Sequence, residues 1–191
     1  MAFDEVSGLL EQYEQLARER GSIAVEYLRP GLSLGQIDDV EQRHGFTLSE
    51  DVKAIWSWHN GIGPRPSPET PRRIGAAWDF MDLDRSIDHA NSSLLNRNSG
   101  DADRYVFSRW VTFAASSVSA VIETSNTRIP DSPVLVDDVT QSVLNYPIVT
   151  VAEKLRWFIW AIENEAWHVD DKGAWQSNFD LFPKNAFKDV I

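Results

Sequence analysis

Residues 30–61 read PGLSLGQIDDVEQRHGFTLSEDVKAIWSWHNG, and this stretch decides the fold. Ser33 precedes Gln36 by three, the spacing at which a hydroxyl and a side-chain amide each satisfy a backbone N–H at a helix start. Ile37, Val40 and His44 then line one helical face, and Gly45 closes it. A second short helix begins after Ser49, turns Val52, Ile55 and Trp56 inward, and stops at Asn60-Gly61. Two helices in tandem with a glycine between them predict a helical hairpin.

The same stretch holds a literal G-x-S-x-G, Gly31-Leu32-Ser33-Leu34-Gly35. In a hydrolase such a turn exposes a nucleophilic serine between a strand and a helix, beside an oxyanion hole. Here it precedes any sheet the chain could have built, Pro30 occupies the end of the would-be strand, and no Gly-rich oxyanion segment comes earlier. Ser33 reads as a helix cap.

Outward from the hairpin, Phe3, Val6, Leu9, Leu10, Tyr13, Leu16 and Ala17 recur at offsets of three and four and predict an amphipathic helix over 3–20. Pro64, Pro66, Pro68 and Pro71 make 61–73 a surface loop. Residues 78–83 read as a strand or strand start, and 86–95 as a helix. Segments 105–113, 119–124 and 134–139 are rich in Val, Ile, Thr and aromatics between turn residues, and so predict successive strands. Thr150 and Glu153 form a second capping box, opening a helix over 151–166 with Val151, Leu155, Phe158, Ile159 and Ile162 inward. Trp157 and Trp160 widen its apolar stripe. The expected fold is α+β: N-terminal helices packed with a mainly antiparallel sheet and a closing C-terminal helix, one domain over 1–191.

The chain of 191 residues has a formal net charge of −11, is 42% hydrophobic and contains no Cys. That apolar fraction suffices for a core. Without Cys there are no disulfides, thiolate zinc sites, iron–sulfur clusters or cysteine nucleophiles, and a reducing compartment fits. Residues 1–5 are acidic where a signal peptide is basic, and no apolar run approaches the ~18 residues of a membrane span. A cytoplasmic protein is expected, with no membrane partner. A surface this negative repels nucleic acid, and Arg65, Arg72 and Arg73 are too sparse to reverse that, so no nucleic-acid partner is expected; a basic protein partner is favoured electrostatically.

The four histidines, His44, His59, His89 and His168, lack the i, i+4 pairing of a helical zinc site. Gly61-Ile62-Gly63-Pro64 lacks the third glycine and following helix of a phosphate loop and reads as a helix end. Asp79, Asp82 and Asp84 cluster, and Asp137-Asp138 end a strand. A calcium loop starting at Asp79 would need Gly and Glu where Asp84 and Ala90 stand. No metal or cofactor is expected. Most such acids are solvated surface, while a glycosidase-like pair stays open because its separation is three-dimensional.

The run Pro30 through Ile37, then Glu41, Gly45-Phe46-Thr47-Leu48, Lys53 and Asn60-Gly61 resembles the opening signature of the SMI1/KNR4, or SUKH, superfamily. The resemblance covers about 29–167, with the helix over 3–20 and the tail 168–191 as additions; Ser49 stands where the family usually has Pro. It implies an α+β protein-binding domain without a recognised catalytic centre. Bacterial members are commonly immunity proteins encoded beside polymorphic or contact-dependent toxins, often nucleases; fungal relatives regulate cell-wall synthesis and signalling. Under this reading Ser33, Gln36, Ile37, Glu41, Leu48, Asn60 and Gly61 are structural. The expected function is neutralisation of a basic toxin domain by direct binding, with Asp79, Asp82, Asp84, Asp137 and Asp138 as contacting acids. The alternatives are a regulatory adaptor for an endogenous protein and a carboxylate-dependent hydrolase.

Overall fold

The computed structural model describes residues 2–76, 78–95, 109–114, 118–124, 133–138 and 149–183, with the backbone alone at 90–95 and in the strands between 109 and 149. The N-terminal apolar offsets form helix α1 (Ala2–Glu19), which buries Val6, Leu10, Tyr13 and Ala17. A 3-10 turn (Ile23–Tyr27) leads into strand β1 (Leu28–Pro30). Helix α2 (Leu34–His44) starts with both bonds of the predicted capping box: the Gln36 N–H donates to Ser33 Oγ at 3.2 Å, and the Ser33 N–H to Gln36 Oε1 at 2.9 Å. The serine of the G-x-S-x-G string is thus a cap, and Gly45 ends the helix in the left-handed conformation. Helix α3 (Glu50–Trp58) buries Val52, Ile55 and Trp56 as expected. Ser49 holds the N-cap position but makes no cap bond; its hydroxyl donates to the Asp51 carboxylate, which accepts the Val52 N–H at 2.9 Å.

The far end of the hairpin departs from expectation. Helix α3 stops at Trp58, and Asn60-Gly61 belong to strand β2 (His59–Ile62), antiparallel to β1. Asn60 forms a junction instead of a helix stop: its Oδ1 accepts the Leu83 N–H at 3.0 Å, at the start of helix α4 (Leu83–Leu95). The strand expected over 78–83 is not formed; Gly75 and Trp78 make an isolated bridge, and Leu83 is already helical. Asp82 supplies the reason, because its carboxylate accepts the Arg85 N–H at 2.9 Å and so starts a helix.

The expected strands follow as β3 (Arg109–Ala114), β4 (Val118–Thr124) and β5 (Pro133–Asp138), joined by β6 (Val149–Thr150) in one antiparallel sheet ordered β3-β4-β5-β6. Residues 105–108 and 139 of the expected segments lie outside the described residues. Helix α5 (Val151–Glu163) opens on the Thr150–Glu153 capping box and buries its five predicted inward residues. It ends short of position 166, where Glu165 adopts a φ of 59° and turns the chain into the hairpin β7 (Trp167–Val169) and β8 (Trp175–Ser177).

Helix α1 packs on both α3 and α5, and one hydrophobic cluster joins the five described helices to Trp167, Trp175 and Phe182 of the tail. The segment expected as an addition therefore places Leu10 and Tyr13 at the centre of the core. The wide stripe of α5 lies beneath the tail: Trp157 stacks on Phe182 with centroids 5.4 Å apart and meets Trp167 edge-on at 5.8 Å.

Lys154 lies on the buried side of α5, with its ammonium over the rings of Trp157 and Phe158. Burial pushes that ammonium down to about 8. Between there and the ordinary lysine value, about 10.4, the unfolded chain binds more protons than the folded one, so stability rises with pH across that window. Relative to a Lys154→Met variant, the stability of the natural chain is expected to rise by up to about 3 kcal/mol between pH 7 and pH ~10.5. Urea denaturation of both chains at the two pH values measures the change; a difference between them that stays constant with pH would contradict it.

Candidate functional site

A cleft of about 200 Å³ opens between the proline-rich loop and the start of α4, lined by residues 62–65, 72, 79–82 and 85. Backbone pairing assembles it. The Ile62 N–H donates to the Phe80 carbonyl at 3.2 Å and the Gly63 N–H to the Tyr27 carbonyl at 2.7 Å, so strand β2, the loop and the approach to α4 converge. Phe80 and Met81 are buried beneath.

Charges of both signs meet there. Arg72 grips Asp79, with Nη2 2.7 Å from Oδ2 and both Nη2 and Nε donating to Oδ1 at 3.0 and 3.2 Å. Asp82 caps α4 and lies 3.7 Å from Arg29 at the cleft's edge. Arg65 Nη1 donates to the carbonyls of Pro68 and Thr70, each at 3.0 Å, which pins its guanidinium to its own loop. Arg85, in the first turn of α4, has no carboxylate partner among the described residues. Three guanidinium groups line the cleft (Arg65, Arg72, Arg85) against two carboxylates (Asp79, Asp82), which leaves one positive charge in excess on a chain of net charge −11; Arg29 stands outside the lining beside Asp82, and Glu69 in the loop feels the charge of Arg65.

Of the five acids proposed from sequence, the structure brings Asp79 and Asp82 together in this cleft and gives each an arginine. Asp84 points elsewhere, toward the C-terminus of α2, 3.3 Å from Arg43 and 3.8 Å from His44, and is 58% exposed. Asp137 and Asp138 end β5 opposite Ser119 and Val118 of β4, and their side chains lie outside the described residues. Sequence reading missed Arg29 and Arg85. The Asp82–Arg85 spacing of three was the available signal, hidden when 78–83 read as a strand.

Of the signature residues, Ile37, Glu41, Leu48 and Gly61 are buried, Asn60 is half-buried, and the capping pair Ser33 and Gln36 is exposed. Ile37 and Leu48 are fully buried. Glu41 Oε1 accepts the Leu48 N–H at 2.6 Å, while its Oε2 takes Lys53 Nζ at 2.9 Å; Nζ also reaches Asp38 Oδ1 at 2.7 Å. Burial by itself would lower the Lys53 ammonium, and the hydrogen bonds it donates to Asp38 and Glu41 outweigh it, holding it above the ordinary value. A second polar knot ties α1 to the β1–β2 pair. His59 Nδ1 lies 2.7 Å from the Arg29 carbonyl and Nε2 3.0 Å from Glu14, which also accepts from Trp58 Nε1 at 2.9 Å and Arg18 at 2.7 Å. Burial pushes the Glu14 carboxyl up, but these donors prevail and keep it below the usual carboxylate value. Among the described residues, no group of three or more His, Cys, Asp or Glu is placed to hold a metal ion. No described helix is long and apolar enough to cross a membrane.

These observations define an α+β domain built on a helical hairpin, with a charged cleft where the hairpin meets α4. The chain belongs to the SMI1/KNR4 family (SUKH-1), whose model matches residues 31–126, half of the chain. That match takes in the hairpin, the cleft, β3 and β4. Proteins of this family typically bind protein partners. No curated protein matches the chain.

Proposed function

We propose that this chain is a cytoplasmic immunity protein that neutralises a cognate toxin domain by binding and covering it. The family match carries the reading, together with the way its signature is used: Ile37 and Leu48 are core, and Glu41 and Asn60 satisfy backbone N–H groups, so recognition falls to the rest of the surface. The net charge of −11 would draw a basic nuclease by long-range attraction and leave its substrate excluded once the complex forms. Asp79, Asp82, Asp84, Asp137 and Asp138 are the proposed contacting acids. All three of Asp79, Asp82 and Asp84 lie beside an arginine, and Asp84, 58% exposed, offers its charge most directly. Among the described residues, that pairing leaves the hydrolase alternative without a supporting observation, since the two acids sharing the cleft are each engaged locally.

The test is co-expression with the product of a neighbouring toxin-like gene, followed by stopped-flow association of the purified pair. Association should slow steeply from about 50 to about 500 mM salt, and Asp84→Asn should lower the rate about twofold. Salt-insensitive association, unchanged by all five Asp→Asn substitutions, would rule out electrostatic recognition. Failure to protect cells or bind the neighbouring product, with an endogenous protein captured instead, would transfer the reading to the adaptor.

A further inference from the structure

We infer that the cleft between the proline-rich loop and α4 is a carboxylate-binding site that receives an acidic side chain of the protein partner. The chain is acidic overall, so the single positive charge in excess in this recess is a local feature. Its donors are held in place: Arg72 by Asp79, and Arg65 by the Pro68 and Thr70 carbonyls, which occupy Nη1 and leave Nε and Nη2. Donors fixed before binding lose little side-chain freedom when a ligand arrives. Arg85 completes the set from the first turn of α4. Paired guanidinium donors match the two oxygens of a carboxylate.

The resident aspartates narrow the ligand. Asp79 and Asp82 reduce the excess of Arg65, Arg72 and Arg85 to a single positive charge, which one carboxylate neutralises, whereas a phosphate dianion would leave an uncompensated negative charge in the recess. A nucleic acid would bring many charges against the field of the whole chain, whereas a single carboxylate feels mainly the arginines within a Debye length of about 8 Å. The volume, about 200 Å³, equals that of six or seven waters at ~30 Å³ each and accommodates one acidic side chain. The protein source of the carboxylate rests on the binding function proposed above; the recess itself does not.

Nitrogen-15 NMR of the arginine Nε–Hε groups in the full chain tests the site without any partner. The probes are end-blocked Gly-Glu-Gly, its Gly-Gln-Gly counterpart and sodium phosphate. The glutamate peptide should shift the Arg65, Arg72 and Arg85 signals saturably, with a dissociation constant on the order of millimolar. The glutamine peptide should shift none, and phosphate should bind more weakly than the glutamate peptide. Arg85→Gln and Arg65→Gln should each weaken glutamate binding severalfold while the rest of the spectrum stays folded. Equal response to the glutamine peptide, tighter binding of phosphate, shifts that never saturate, or full binding by both variants would each overturn the site. Peptide binding without toxin binding would retain the recess and remove the immunity reading; the reverse outcome would do the opposite.

Discussion

Alanine at position 61 is expected to destabilise the fold by about 3–5 kcal/mol and to lower the thermal midpoint by roughly 10 °C or more. Two independent penalties add. Gly61 has a φ of +74°, a conformation that side-chain-bearing residues adopt at a cost of about 1–2 kcal/mol. A β-carbon there would also lie 2.7 Å from the Met81 carbonyl carbon and even closer to the Asp82 nitrogen. Both obstacles are backbone, so relief requires strand β2 to move away from 81–82. That movement would pull on the Asn60–Leu83 hydrogen bond and on the Phe80–Ile62 pairing that shapes the cleft. Gly31 meets a similar obstacle by close approach alone, its β-carbon falling against the Ser57 carbonyl and 2.8 Å from the Trp58 oxygen. Gly35 is the control. It lies within α2, a β-carbon there meets nothing within 4 Å, and Gly35→Ala should be neutral or stabilising by up to about 1 kcal/mol. Thermal unfolding followed by circular dichroism compares the three; a Gly61→Ala protein melting with the wild type would show that this contact does not constrain the fold.

Lys53→Met should destabilise the hairpin by about 2–4 kcal/mol, and adding Glu41→Gln should recover most of the loss. The Lys53 side chain is 7% exposed and that of Glu41 11%, so removing the ammonium strands a carboxylate with little water to solvate it. Breaking such a buried pair costs about 3–5 kcal/mol. The expectation here is smaller because Asp38, the third member, is 62% exposed and admits solvent to one end of the network. In the double variant glutamine carries no charge, yet its side-chain oxygen can still accept the Leu48 N–H that Glu41 takes at 2.6 Å. A Glu41→Leu partner would lack that acceptor and should recover less. Because Lys53 is held above its ordinary value, its contribution is fully present below the unfolded lysine value, about pH 10.4, and is lost as pH rises through the folded one. Urea midpoints of the single and double variants measure the coupling; strictly additive losses would show that the two groups act independently.

Both capping boxes and the inward faces of α3 and α5 were readable from residue order, as was the succession of strands; on α2 Ile37 and Val40 turn inward as expected, but Glu41 is buried and His44 is not. Each depends on interactions spanning three or four residues, or on the alternation of a single segment, and such distances are covalently set. The overall charge was readable too, because it is a sum that folding does not alter. The role of Asn60-Gly61 was not. As a dipeptide after a helix it has the chemistry of a stop, and only the approach of 81–83 converts it into a junction. Residues 78–83 failed for the same reason: their local pattern suits a strand, but β2 pairs across Phe80 and Asp82 begins a helix.

The charged cleft lay furthest from sequence reading. Arg29 comes from β1, Arg65 and Arg72 from an irregular loop, and Arg85 from α4, and no period connects them. Residue order settled which segments become helices and what sign the molecule carries, since those are local or additive properties. Which guanidinium groups stand together, and which carboxylates they neutralise, depends on distances between segments, and only packing around the buried core sets those distances.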